Sequence, residues 1–105
     1  MSPFVELIEI HLHFGEVQDL KGKRKQLKSL KDSIRRRFGA SVAEVDYHDR
    51  WQRSRLTMAI VRREHSSAQQ ALVDAERYLS MQEYELIGST RTVLSVESDL
   101  PVGLR

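Results

Sequence analysis

Between Lys21 and Arg37 the chain reads Lys-Gly-Lys-Arg-Lys-Gln-Leu-Lys-Ser-Leu-Lys-Asp-Ser-Ile-Arg-Arg-Arg, nine basic residues against one acid. At about 100° per residue Arg24, Lys28, Lys31 and Arg35 form a ridge, while Lys21, Lys25 and Arg36 lie further out. Like charges three and four residues apart cost a few tenths of a kcal/mol per pair in an isolated helix. A phosphate-bearing partner that relieves the repulsion is the functional explanation. Neutralisation by Glu44, Asp46 or other carboxylates of the fold is the structural one.

The second group with chemistry is Tyr47-His-Asp-Arg-Trp-Gln-Arg53, an aromatic platform, two guanidinium groups and polar donors. This combination stacks bases and grips phosphates. It also suits a structural turn in which Trp51 covers the sheet edge and Arg50 or Arg53 pairs with Asp46 or Asp49. Lys21, Arg24, Lys25, Lys28, Lys31, Arg35, Arg50, Trp51 and Arg53 are therefore the candidate nucleic-acid-binding residues. His48 and Asp49 are neighbours on the chain, point apart if extended, and have no partnered nucleophile, so a catalytic dyad is not expected. Glu9, His11 and His13 share one strand face, but no second carboxylate–histidine cluster completes a metal site in the sequence. Gly22-Lys23 lacks the glycine-rich surroundings of a phosphate loop. The expectation is a protein without catalytic residues, metal or cofactor.

At 105 residues the chain is the size of one domain. The absence of cysteine excludes disulfides, thiolate nucleophiles and zinc fingers. Apolar stretches are strand-sized, and the start, Met-Ser-Pro-Phe-Val-Glu, has neither a basic n-region nor a long apolar h-region, so a cytoplasmic protein without a membrane partner is expected. The net charge of +2 conceals a dipole: −4 over residues 1–20, +8 over 21–37, +2 over 38–63 and −4 over 64–105. Such asymmetry favours an acidic partner.

The elements that must position these groups follow from periodicity. Ile8, Ile10, Leu12 and Phe14 alternate with Leu7, Glu9, His11 and His13, predicting a strand over Phe4–Phe14 with one buried face. The period then changes, and Leu20, Leu27, Leu30, Ile34 and Phe38 make a helical stripe ending at Gly39, a left-handed cap. Strands are expected over Ser41–Asp46 and Leu56–Val61. A second helix, capped by Ser66 or Ser67, carries Ala68, Ala71, Leu72, Ala75, Tyr78 and Leu79 and ends near Met81. A last strand spans Tyr84–Val96 with a bulge or bend at Gly88. This order is that of a ferredoxin-like split βαβ domain of the α+β class, with a four-stranded antiparallel sheet and two helices on one face. Strands one and three belong at the centre. The domain should cover residues 1–98, with 99–105 a flexible tail.

Leu20-Lys-Gly-Lys-Arg-Lys-Gln-Leu-Lys-Ser-Leu-Lys31, then Val42-Ala-Glu-Val-Asp46, then Asp49-Arg-Trp-Gln-Arg53, resembles in order and content the YlxP-like family of small bacterial domains of unknown function. The resemblance covers residues 4 to about 97 and implies the same ferredoxin-like fold. Family members are often encoded beside transcription-termination, translation-initiation and ribosome-maturation factors, which implies ribosomal RNA or the small ribosomal subunit as partner. By position, the family's recurring basic residues are Lys21, Lys23, Arg24, Lys28 and Lys31, and its acidic–aromatic segment is Glu44, Asp46, Asp49, Trp51, Gln52 and Arg53. Two departures stand out, Thr57 where a glycine is common and Asp19 where a serine is usual. The competing expectation is a protein-interaction or homo-oligomerisation module, since such sheets keep one open face and two edges.

Overall fold

A computed structural model describes residues 3–82 and 85–95. The order is β1 (Phe4–His13), α1 (Leu20–Phe38), β2 (Ser41–Asp46), β3 (Arg53–Arg62), α2 (His65–Ser80) and β4 (Glu85–Ser95). The strands form one antiparallel sheet in the order β2-β3-β1-β4. The fold is ferredoxin-like α+β, with β1 and β3 at the centre as the crossover rule requires. The expected tail 99–105, Tyr84 and Val96 lie outside the described residues.

Strict alternation builds the core. Ile8, Ile10 and Leu12 of β1 and Leu56, Met58 and Ile60 of β3 are each at most 1% exposed. They meet Leu27, Leu30 and Ile34 of α1 and Ala71, Leu72, Ala75 and Leu79 of α2. Phe38 closes the far end of α1 edge-on against Tyr78, with ring centroids 5.8 Å apart.

The ends of α1 are chemically fixed. Asp19, extended, accepts the Gly22 amide at 2.7 Å, so the aspartate does the capping of a serine. A side chain at Gly22 would meet this carboxylate at 3.1 Å. At the other end Gly39 adopts φ 61° and donates to Arg35 O at 3.0 Å, the left-handed stop expected from the sequence.

Two boundaries differ from the sequence reading by more than one residue. Strand β3 begins at Arg53 rather than Leu56, because pairing with β1 runs without a break from His13–Arg53 to Phe4–Arg62. Helix α2 begins at His65 behind Glu64, which makes no side-chain cap, so neither Ser66 nor Ser67 is the capping residue. Anchoring of its apolar stripe, from Ala68 to Leu79, outweighs the local cap.

Both edge strands carry irregularities. Between His11 and Leu12 the register with β4 slips, since these residues face Gly88 and Leu86, the bulge expected near Gly88. Between Glu44 and Asp46 the register with β3 slips as well: Glu44 faces Leu56, but Asp46 faces Arg55. This second bulge sends two carboxylates that strand alternation would place together to opposite faces of the sheet.

Candidate nucleic-acid interface

The apolar stripe of α1 determines where its cations go. Leu27, Leu30 and Ile34 are buried, and Lys23, four residues before Leu27, lies in the same angular sector and is itself 1% exposed. Its Nζ stands 2.9 Å from Glu44 Oε2 and also donates to the carbonyl oxygen of Tyr47. Ser54 donates to the same carboxylate oxygen at 2.6 Å. Lys23, a recurring basic position in the resemblance, is thus an internal ion pair holding α1 to β2, β3 and the loop that follows β2.

The remaining cations turn outward. Lys21, Arg24, Lys25 and Lys28 are exposed and Lys31 is half-buried. Among the described residues none of these five has an ion-pair or side-chain hydrogen-bond partner. Neutralisation by Glu44 or Asp46 does not occur: Lys23 takes Glu44, and Arg55 takes Asp46 at 3.6 Å. Arg35, at the far end of the ridge, is partly engaged, donating to Val42 O at 3.2 Å and lying 3.4 Å from Asp32. The contact with Val42 places the ridge along the margin of the edge strand β2. From Arg24 to Arg35 it runs about 17 Å at the helical rise per residue.

The β2–β3 loop sits at the first turns of α1 because Lys23 holds the Tyr47 carbonyl. Tyr47 has φ 65°, in the left-handed region unusual for a tyrosine; its amide binds Asp46 Oδ1 at 2.7 Å and its carbonyl also accepts from Arg50 N at 3.0 Å. Arg53 does not pair with Asp46 or Asp49; its guanidinium lies over the Tyr47 ring, 4.7 Å from the centroid. Arg50 has no acidic partner among the described residues and is exposed. Trp51 is 41% exposed. Through the Lys23–Tyr47 contact the structure sets the loop that carries Arg50 and Trp51 at the end of α1 where Lys21 and Arg24 lie, with Lys28, Lys31 and Arg35 leading away, whereas Arg53, paired with His13, belongs to the open sheet face.

The open sheet face carries other charges. Arg55 Nε is 3.1 Å from Glu9 Oε1, and His11 Nε2 is 3.4 Å from the same oxygen. His13 faces Glu85 at 3.6 Å. Glu9 is thus engaged by a guanidinium, and no group of three or more metal-ligating side chains converges among the described residues. His48 and Asp49 are exposed loop residues. Arg55 and the Tyr47 platform for Arg53 were not singled out from the sequence; the first depends on the bulge in β2, the second on the left-handed turn.

A family model described as a protein of unknown function (DUF503) matches residues 5–91. The chain belongs to the DUF503 family. No curated protein matches it. Among solved structures, a Bacillus cereus protein provisionally named an antibiotic biosynthesis monooxygenase is similar at 14% identity and TM-score 0.50, over 97% of this chain and 100% of that one. At that identity the likeness shows the fold alone. The de novo designed Ferredog-Diesel is 16% identical over 86% of this chain and 83% of that one, with TM-score 0.39. No helix among the described residues is long and apolar enough to cross a membrane.

Proposed function

We propose that this DUF503 member is a cytoplasmic, non-enzymatic RNA-binding accessory protein, acting on ribosomal RNA or the small ribosomal subunit through α1 and the β2–β3 loop. The observation that carries the reading is the sorting of charge on α1. The one lysine turned inward, Lys23, is paired with Glu44, whereas Lys21, Arg24, Lys25, Lys28 and Lys31 have no acidic partner among the described residues and line one flank. A helix face that repels itself is stabilised by a polyanion, and closely spaced phosphates match a ridge of this length. Trp51, exposed in the loop at the start of α1, adds stacking surface. The YlxP-like resemblance, carried by the same three segments, favours ribosomal RNA among polyanions.

The test is affinity for small-subunit RNA fragments as a function of salt. With about four phosphates neutralised, the logarithm of the binding constant should fall with the logarithm of salt at a slope near −3. Replacing Arg24, Lys28 and Lys31 together by glutamine should flatten that slope by about 2 and leave the fold intact. Undetectable binding at low salt refutes the reading.

A specific observation favours the alternative, a homo-oligomerisation module. On the open sheet face Val61 is 59%, Leu94 46% and Val45 43% exposed. Val5 faces both Val61 and Leu94 in register, forming an apolar row. Light scattering distinguishes the two: a stable dimer that loses all RNA affinity supports oligomerisation as the primary role.

A further inference from the structure

Glu6 has no part in the interface described above, yet it is the least expected side chain in the core. It lies on the helix-facing side of β1 with Ile8, Ile10 and Leu12, opposite Ile60 of β3 and Val93 of β4. It is 0% exposed, and among the described residues neither carboxylate oxygen has a hydrogen-bond partner. Burying a carboxylate without donors is among the more expensive things a small domain can do. A group of this kind calls for a counterpart.

The surroundings define what that counterpart is. Glu6 lines a cleft of about 580 Å³ between α2 and β4. That volume is within the range of about 300–1,000 Å³ typical of small-molecule sites. Ser66, Gln69 and Gln70 of α2 supply hydroxyl and amide oxygens, and Leu72, Val73 and Val93 supply apolar wall. The one cation among the described lining residues, Arg91, is held by Glu76 at 3.3 Å, so no described cation is left to face the Glu6 carboxylate. An anion is therefore disfavoured, and a neutral ligand would leave the carboxylate without a charge partner.

We propose that this cleft binds a small organic cation, a primary ammonium group seated on the Glu6 carboxylate with an aliphatic remainder along Leu72, Val73 and Val93. Three ammonium hydrogens match two carboxylate oxygens and one of the neighbouring hydroxyl or amide oxygens. Because the Glu6 oxygens are shielded from solvent in the free protein, entry requires side chains of α2 to turn aside. Gln69 and Gln70 are exposed, the second with a surface hydrogen bond to Asp74 at 3.0 Å, and their rotation provides that freedom. The site is independent of the basic helix and stands or falls without it.

The experiment is an amide-resolved NMR titration of the full chain with n-butylammonium chloride, against n-butanol and sodium chloride at equal concentrations. Saturable shifts confined to residues 66–73 and 91–93 are expected with butylammonium alone. In Glu6→Gln, which keeps the shape, affinity should fall at least about tenfold. Glu6→Leu should abolish binding while raising the melting temperature, since the unpaired carboxylate is gone. Equal response to butanol, undiminished affinity in Glu6→Gln, or no saturable shift in the millimolar range would each overturn the proposal.

Discussion

Replacing Lys23 by methionine should be the most destabilising single change on α1, although the residue belongs to its most polar stretch. Methionine keeps the length of the stem but removes the ammonium from Glu44 Oε2 and from the Tyr47 carbonyl. Glu44, with its side chain 12% exposed, is then left with Ser54 as its hydrogen-bond donor. Breaking a buried pair from one side costs about 3–5 kcal/mol, because the surviving charge is stranded. For a domain of this size each kcal/mol lowers the melting temperature by about 4–8 °C, so a fall of at least about 12 °C is expected. Urea denaturation followed by circular dichroism gives the free energy directly. The control is Lys25→Met, two residues along and exposed, which should stay within about 0.5 kcal/mol of the parent. The double variant Lys23→Met with Glu44→Leu should recover much of the loss, since removing both charges removes the stranded one. Raising salt should change the Lys23 effect little, as a pair this buried is weakly screened. A Lys23→Met cost no larger than that of Lys25→Met, or a double variant whose losses simply add, would refute the account.

Two further outcomes test neighbouring claims. Asp19→Ala removes the acceptor for the Gly22 amide at the start of α1 and should cost about 1 kcal/mol by denaturant melts, whereas Asp19→Ser should be nearly neutral. Trp51→Ala should leave stability within about 1 kcal/mol of the parent, because the side chain is 41% exposed, yet weaken single-stranded RNA binding by about tenfold in an anisotropy assay. As the chain's one tryptophan, Trp51 also offers a quenching signal on binding in the parent protein.

The fold was legible because each element repeats its message. Four alternating residues define β1, five at helical spacing define α1, and Gly39 marks a stop that only a left-handed residue makes. The boundary errors have a common cause: Arg53, Ser54 and Arg55 look like loop chemistry, and it is the partner β1, rather than their own propensity, that makes them strand. The start of α2 at His65 departs from the sequence pattern for the same reason, since a capping serine signals a helix end only when the core does not decide otherwise.

The candidate site divides along a similar line. That α1 would be a basic helix with a wet flank is contained in its sequence, since a 100° step sets which residues share a face. Even the burial of Lys23 is implicit in its spacing from Leu27, Leu30 and Ile34, although it sits within a run of charges. What tertiary structure alone decided is which carboxylate meets which cation. Glu44 and Asp46 are two residues apart, and alternation places them on one face. The bulge between them divides them, giving Glu44 to Lys23 inside and Asp46 to Arg55 outside. A register slip is a property of two strands held together, so no single strand's pattern records it, and through it Glu44 and Asp46 are taken up by Lys23 and Arg55 rather than by the basic ridge.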